Sequence, residues 1–190
     1  MKVEISIGES IDKLSILEIK YVRINDEEKK TEIKKEIDAL QECVIYKNAH
    51  KQYYDLLMCV NTKLWDMTDQ IQNMCMYDEK YAEISSELFI FNQKRYRLKR
   101  IFNLLTNSNI KEQKNNKLKS CKVIIDDEEL FYTKIPEINS LILDYDVIYF
   151  DSPFVPSIQL IFNISVFCYD NENIDESTCT IIELNSIICC

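Results

Sequence analysis

The stretch "ISIGESIDKLSILEIKYVRI" (residues 5–24) contains the only glycine of the 190-residue chain and continues into a charged amphipathic pattern. Its apolar residues recur every three or four positions, which predicts one buried helix face. These residues are Ile11, Leu14, Leu17, Tyr21 and Ile24. The preceding "VEISI" (3–7) reads as a strand. Because glycine adopts positive φ without steric cost, Gly8 is predicted to turn the chain from strand to helix, with Ser10 as the N-cap.

Three more helices are predicted downstream. The second begins near "NDEEKK" (25–30), whose acids suit the positive end of a helix dipole. The third (51–76) and fourth (79–106) repeat apolar residues in alternating steps of three and four, a coiled-coil-like seam typical of antiparallel helical hairpins. The predicted seams are Ile33, Ile37, Leu40 and Val44; then Tyr53, Leu57, Val60, Leu64, Met67, Ile71 and Met74; then Tyr81, Ile84, Leu88, Phe91, Leu98, Phe102 and Leu105, with Arg95 among them.

The pattern changes after a polar linker at 106–120. Short β-rich runs alternate there with helical segments, which predicts a small parallel α/β unit of βαβαβ type. The predicted strands are 121–125, 147–150 and 164–169, with 179–184 as an edge strand; the helices are 126–143, divided at Pro136, and 156–162. The predicted class is therefore α+β. Residues 1–114 would form an N-terminal strand with an antiparallel bundle of four helices, and residues 115–190 the α/β unit.

Composition limits the possible functions. A net charge of −9 argues against a dedicated nucleic-acid binder, which needs a basic face. No apolar run reaches the roughly 18 residues of a membrane span, and the N-terminus lacks a signal-peptide pattern. We therefore expect a soluble cytoplasmic protein. The skew toward Ile, Lys, Asn and Tyr is typical of an AT-rich genome and is compatible with a large DNA virus of protists.

Motifs that would support known chemistry are missing from the sequence. None of the eight cysteines has C-x-x-C spacing, and the single histidine, His50, has no cysteine at ligand spacing, so neither zinc nor another metal is expected. Cys59 and Cys75 are predicted to lie reduced beside helical core positions. With no glycine after Gly8, neither a dinucleotide-binding turn nor a Walker loop can form. No cofactor is expected, catalytic residues stay unknown, and the protein is more plausibly not an enzyme.

Arg95 interrupts the apolar seam of the fourth helix. An unpaired guanidinium in a helix interface is costly, so Arg95 should pair with an acid or reach solvent. The candidate partners are Asp12, Glu18, Asp66 and Asp69. A structural ion pair is the first interpretation. The alternative is an anion-binding site with Lys99, which lies one turn later on the same face.

Trp65 and the two acids after it form a second candidate group. A single tryptophan on a helix is more often a packing residue than a platform for a ligand. Asp66 and Asp69 lie three residues apart and can share a face, where two carboxylates are more often solvated than catalytic.

Three ordered blocks resemble a family of short, uncharacterised bacterial helical proteins. They are "ISIGESIDKLSILEIKYVRINDEEK", "VNTKLWDMTDQI" and "FNQKRYRLKRIFNLLTNSNIKEQK", and the resemblance covers about residues 3–114. The family opening is Gly-Glu, Asp-Lys, Ile-Leu-x-Ile-Lys and Arg-Ile, matched here by Gly8, Glu9, Asp12, Lys13, Ile16, Leu17, Ile19, Lys20, Arg23 and Ile24. The third block carries Asn92, Arg95, Leu98, Lys99, Arg100 and Asn103.

The resemblance implies a role in glycan biosynthesis, because such proteins are encoded near, or fused to, glycan-assembly enzymes and glycosyltransferases. Two departures weaken a carboxylate-based site: Thr68-Asp69 replaces an acidic pair, and Gln93 replaces an acid. The recurring charges suggest one ion-pair or anion-binding cluster across the helix interface. Its predicted members are Asp12, Lys13, Glu18, Lys20, Arg23, Trp65, Asp66, Asp69, Asn92, Arg95 and Lys99.

Two functions follow as hypotheses. The first is a non-catalytic helical interaction or scaffold module for glycan-assembly enzymes, binding a protein partner or a second copy through its long hairpin. The second is a glycosyltransferase-like or sugar-nucleotide-binding enzyme fragment that uses Arg95 and Lys99 to bind phosphate.

Overall fold

A computed structural model describes residues 4–110, 119–152, 166–167 and 179–186. The chain divides into two compact units, Met1–Glu112 and Gln113–Cys190. The first is helical and the second contains a parallel sheet, which confirms the predicted α+β class. The helices of the first unit are α1 (Ile7–Arg23), α2 (Glu27–Asp38), α3 (Val44–Ala49), α4 (Lys51–Gln72) and α5 (Glu79–Leu105).

Helix α1 lies at the centre of the helical unit and packs against α2, α4 and α5, while α4 and α5 form an antiparallel hairpin. The predicted seams of α1 and α4 are largely confirmed: Ile11, Leu14, Leu17, Tyr53, Leu57, Val60, Leu64 and Met67 are buried. Other seam predictions are wrong. Tyr21 is 42% exposed. Helix α2 ends at Asp38 and α4 at Gln72, so Leu40 and Met74 lie beyond the ends of their helices, and Val44 lies on α3.

The start of α1 differs from the expectation. Residues 4–6 form no strand, and Gly8 lies inside the helix without a positive φ. Ser6, not Ser10, is the N-cap, and its hydroxyl accepts a hydrogen bond from the Glu9 amide at 3.1 Å. The sequence carried this signal, because Ser6 and Glu9 have the S-x-x-E spacing of a capping box.

Removing this cap gives a first prediction. Ser6→Ala should lower the free energy of unfolding by about 1 kcal/mol, since the Glu9 amide loses its partner at the helix start. Urea denaturation followed by circular dichroism measures the change. Ser86→Ala is the control, because Ser86 is exposed inside α5 and alanine there should be neutral or slightly stabilising. Equal stability of the two variants would show that Ser6 does not cap α1.

The second unit is built on a four-stranded sheet in the order β3-β2-β1-β4, in which every described pairing is parallel. The strands are β1 (Ser120–Ile124), β2 (Val147–Asp151), β3 (Val166–Phe167) and β4 (Cys179–Glu183). The predicted strands at 121–125, 147–150 and 179–184 are confirmed, the last as an edge among the described strands. The predicted helix at 156–162 and most of the linker at 106–120 lie outside the described residues.

Two short helices follow β1, namely α6 (Glu128–Thr133) and α7 (Ile135–Ser140). Pro136 lies in the first turn of α7, where its missing amide is tolerated, and so it separates the two helices as expected. Phe131, Ile138 and Phe150 are buried in this unit, and the Phe131 and Phe150 rings meet edge to face.

The described cysteines are free thiols that differ in burial, and Cys179 is half-buried. Cys43 and Cys121 are buried, and desolvation raises the pKa of the Cys121 thiol to about 12, so it packs as a neutral group. Cys59 and Cys75 are exposed, so their predicted place beside the core is wrong. Cys59 precedes the buried Val60 on α4 but lies on the solvent-facing side of that helix, and Cys75 lies in the turn after α4 ends at Gln72.

Candidate functional site

The Arg95 guanidinium on α5 binds the Asp12 carboxylate of α1 through two parallel hydrogen bonds. Arg95 Nε donates to Asp12 Oδ1 at 2.8 Å, and a terminal nitrogen donates to Oδ2 at 2.5 Å. The Asp12 side chain is 2% exposed and that of Arg95 29% exposed. Asp12 is therefore the partner among the four candidate acids. Bidentate pairing of this kind holds two helices in one register.

Asn61 on α4 also donates a hydrogen bond to the Asp12 carboxylate. Its side-chain amide nitrogen donates to Asp12 Oδ1 at 3.0 Å and to Ser15 Oγ at 2.7 Å. Ser15 in turn donates to the Asp12 carbonyl at 2.7 Å. The sequence reasoning missed Asn61, although it lies four residues after Leu57 and three before Leu64, the spacing of a buried face.

The N-terminus of α1 is capped entirely by side chains. The amides of its first three residues donate to Ser108 Oγ at 3.2 Å, Asn103 Oδ1 at 2.7 Å and Ser6 Oγ at 3.1 Å. These hydrogen bonds satisfy backbone N–H groups that have no acceptor within the helix. Because every one of the three amides already has an acceptor, this helix end does not offer an anion-binding site.

Lys99 closes the same interface one turn along α5. Its ammonium contacts Glu9 Oε1 at 2.5 Å, and the lysine side chain is 12% exposed. Both bases proposed for anion binding are thus neutralised by α1 carboxylates. A phosphate would have to displace Asp12 from Arg95 or Glu9 from Lys99.

Six other predicted cluster members, among them Glu18, Arg23 and Asp66, lie outside this network. Glu18 accepts from Lys47 at 2.6 Å and from the Tyr54 hydroxyl at 2.9 Å, and burial together with the Glu18 charge raises the Tyr54 pKa. Exposed ion pairs join Arg23 to Asp66 at 2.5 Å and Lys13 to Glu36 at 2.8 Å.

Asn92 does not belong to the network at Arg95. Its side chain is exposed and donates to the Leu88 carbonyl one turn earlier, at 2.8 Å. Lys20 faces α2, where it lines a shallow depression with Ile24 and Ile33. The charged positions of α1 therefore serve several interfaces, and the single cluster expected across the α1–α5 interface is limited to Asp12, Arg95, Glu9 and Lys99.

A cavity of about 270 Å³ lies beside the Asp12–Arg95 pair. Apolar side chains of α1 and α4 form much of its wall, and Trp65 contributes an aromatic surface. The polar residues on the wall are Asn61, Thr68, Asp69, Gln72 and Arg95. Trp65 and Asp69, which were predicted to belong to one cluster with Arg95, therefore line the same cavity as Arg95.

Within residues 4–110, 119–152, 166–167 and 179–186, no group of three His, Cys, Asp or Glu side chains is arranged to hold a metal ion. Within those ranges, too, no helix combines the length and apolarity needed to cross a bilayer.

The first unit is thus a helical domain in which a buried ion pair and a side-chain-capped helix start join α1 to α5, and Asn61 joins α4 to α1. Residues 1–123 match the family of unknown function DUF6165, and the chain belongs to that family. The match agrees with the resemblance of residues 3–114 to a family of uncharacterised proteins. No curated protein and no solved structure matches the chain.

Proposed function

We propose that the helical unit is a non-catalytic interaction module that binds a partner protein in glycan assembly. The observation that carries the proposal is the exposure of the distal end of the α4–α5 hairpin. Residues 79–97 of α5 contain no buried residue. Four large apolar side chains of the α4–α5 turn and of this part of α5 are exposed, and we call them the hairpin patch: Met76 (66%), Tyr77 (88%), Phe89 (66%) and Ile90 (47%).

The patch supports docking because large apolar side chains left uncovered in one part of a protein are typical of interaction surfaces. Met76 and Tyr77 lie in the turn before α5, and Phe89 and Ile90 lie in the part of α5 that contains no buried residue. The pairing of Arg95 and Lys99 with carboxylates makes the sugar-nucleotide alternative less favourable, because that alternative needs those charges for phosphate.

The charge around the patch favours a basic partner. Four of the five charged residues between positions 78 and 92 are acidic: Asp78, Glu79, Glu83 and Glu87, against Lys80. A neighbouring groove places Asp69 and Glu87 beside the apolar Met67 and Phe91. We therefore commit to a basic amphipathic helix of another protein as the occupant, since helix-in-groove binding uses apolar anchors with complementary flanking charge.

The resemblance connects this partner to the enzymes that assemble glycans, and the proposal includes a bacterial or large-DNA-virus origin and a cytoplasmic location. The bias toward residues typical of an AT-rich genome supports the proposed origin. A homodimer through the hairpin is less favoured, because two acidic ends would face each other.

The proposal predicts the behaviour of a double variant. Phe89→Ser/Ile90→Ser should weaken binding of a labelled Leu/Lys amphipathic helical peptide at least about tenfold, because it removes two exposed anchors. Fluorescence anisotropy measures the affinity, and a Leu/Glu peptide of the same pattern should bind far more weakly to the wild-type protein. Val22→Ser/Ile45→Ser, which removes apolar side chains exposed elsewhere, should leave the affinity unchanged.

Three results would count against the proposal. Equal binding by the two double variants would mean that the patch is not the docking surface. A dimer in sedimentation equilibrium that only Phe89→Ser/Ile90→Ser dissociates would make a second copy the occupant. Saturable thermal stabilisation by a nucleotide sugar would favour the enzyme alternative.

A further inference from the structure

The cavity beside the Asp12–Arg95 pair contains an unsatisfied hydrogen-bond acceptor. Asn61 lines the cavity and is 4% exposed, and its side-chain oxygen has no hydrogen-bond partner. Buried polar atoms are rarely left in this state, because the missing bond is costly.

The orientation of this amide follows from its neighbours. The Asn61 nitrogen donates to Asp12 Oδ1 and to Ser15 Oγ. Turning the amide over would place its oxygen against the Asp12 carboxylate, so the nitrogen must face that side. The oxygen therefore remains available to accept a hydrogen bond from a molecule in the cavity.

The wall of the cavity defines the charge of that molecule. Arg95 on one part of the wall opposes a cationic ligand, and the exposed Asp69 carboxylate opposes an anionic one. Asn61 and Asp69 accept hydrogen bonds, while the Gln72 amide can both donate and accept. A neutral ligand with hydroxyl groups matches this set, because a hydroxyl is both donor and acceptor.

The apolar part of the cavity wall determines which shape of ligand fits. Trp65, Ile16 and Ile19 border the space, and an aromatic plane beside aliphatic side chains suits the C–H face of a saturated ring. A volume of about 270 Å³ accommodates one six-membered sugar ring with its hydroxyls. We propose that this cavity binds a neutral monosaccharide ring, free or at the end of a glycan, with a ring hydroxyl donating to the Asn61 oxygen.

The single tryptophan of the chain makes the test direct, because Trp65 borders the cavity and its emission needs no label. Glucose, galactose, mannose and N-acetylglucosamine are titrated into the full chain to about 50 mM, since single rings bind at about 1–10 mM. At least one should change the emission saturably. Oligosaccharides ending in that sugar should act at lower concentration if the ligand is a glycan end, and no better than the free sugar otherwise.

Three variants locate the binding. Thr68→Phe, at an exposed position of the wall, should abolish the response by filling the cavity. Gln72→Ala should weaken the affinity about fivefold through one lost hydrogen bond, while Gln70→Ala, the same change outside this cavity, should not alter it. Circular dichroism confirms that each variant is folded. Phe89→Ser/Ile90→Ser should bind the sugar normally, so this inference and the docking proposal can fail separately.

Several outcomes would overturn the inference. These are the absence of a saturable response to any of the four sugars, a response that Thr68→Phe retains, and equal effects of Gln72→Ala and Gln70→Ala. A preference for sugar phosphates over the neutral sugars would also contradict it, because it would assign the cavity to an anion.

Discussion

Replacing Arg95 with methionine is expected to lower the free energy of unfolding by about 3 kcal/mol. The change leaves the buried Asp12 carboxylate with a hydrogen bond from the Asn61 amide at 3.0 Å but without its counter-charge. Breaking a buried ion pair from one side costs about 3–5 kcal/mol, and the partial exposure of Arg95 places this case at the lower end. Urea denaturation at neutral pH measures the loss.

Two further variants separate the ion pair from general effects of removing an arginine. Arg23→Met removes an exposed pair with Asp66 and should cost at most about 1 kcal/mol. Asp12→Leu/Arg95→Met replaces both charges by apolar groups and should recover much of the stability, as expected where an unpaired buried charge causes the loss. If Arg95→Met is as stable as Arg23→Met, the pair does not hold the helices together.

Periodicity predicted the helices of this chain well because burial of one face is a local property of the sequence. The seam of α4 from Tyr53 to Met67 is buried at every predicted position. The same pattern in α5 is buried only at Leu98 and Phe102, and Leu105 is half-buried. Residue spacing identifies the apolar face of a helix. How much of that face is buried depends on the length of the neighbouring helices. The sequence of α5 alone does not contain that length.

The sequence predicted that Arg95 has an acidic partner, but not which acid it is. Arg95 stood out because a charge within an apolar seam requires a partner, and the structure supplies one. The choice of Asp12 over Glu18, Asp66 and Asp69 depends on how α1 crosses α4 and α5, which residue spacing does not define. Asn61 and the cavity at Trp65 depend on the same crossing. Asn92 was included through the resemblance, and its side chain instead bonds to its own helix.

Gly8 is structurally important, but for a different reason from the one that the sequence suggested. The hinge interpretation relied on the freedom of glycine to adopt positive φ, yet Gly8 is helical. The reason for glycine is the closeness of α5: a Cβ at this position would overlap the Lys99 carbonyl oxygen and lie 2.9 Å from Asn103 Oδ1. The missing side chain lets the Gly8 amide reach Asn103 at 2.7 Å.

Gly8→Ala is therefore expected to destabilise the protein by about 2 kcal/mol, although alanine is the better helix former by about 1 kcal/mol. The added methyl group must push α1 away from the backbone of α5, and overpacking of this kind costs about 1–3 kcal/mol or more. The displacement also lengthens the Gly8–Asn103 hydrogen bond, which adds to the loss. Urea denaturation measures the change, and hydrogen exchange at the first turn of α1 should become faster.

The identity of the obstructing atom provides the control. Because the nearest atom belongs to the Lys99 backbone, Gly8→Ala/Asn103→Ala should not recover the stability that Gly8→Ala loses. Lys13→Ala, at an exposed position of the same helix, should change stability by no more than about 0.5 kcal/mol. A Gly8→Ala variant as stable as the wild-type protein would mean that α1 and α5 do not approach each other this closely, and the pairing of Asp12 with Arg95 across the same interface would then need another geometry.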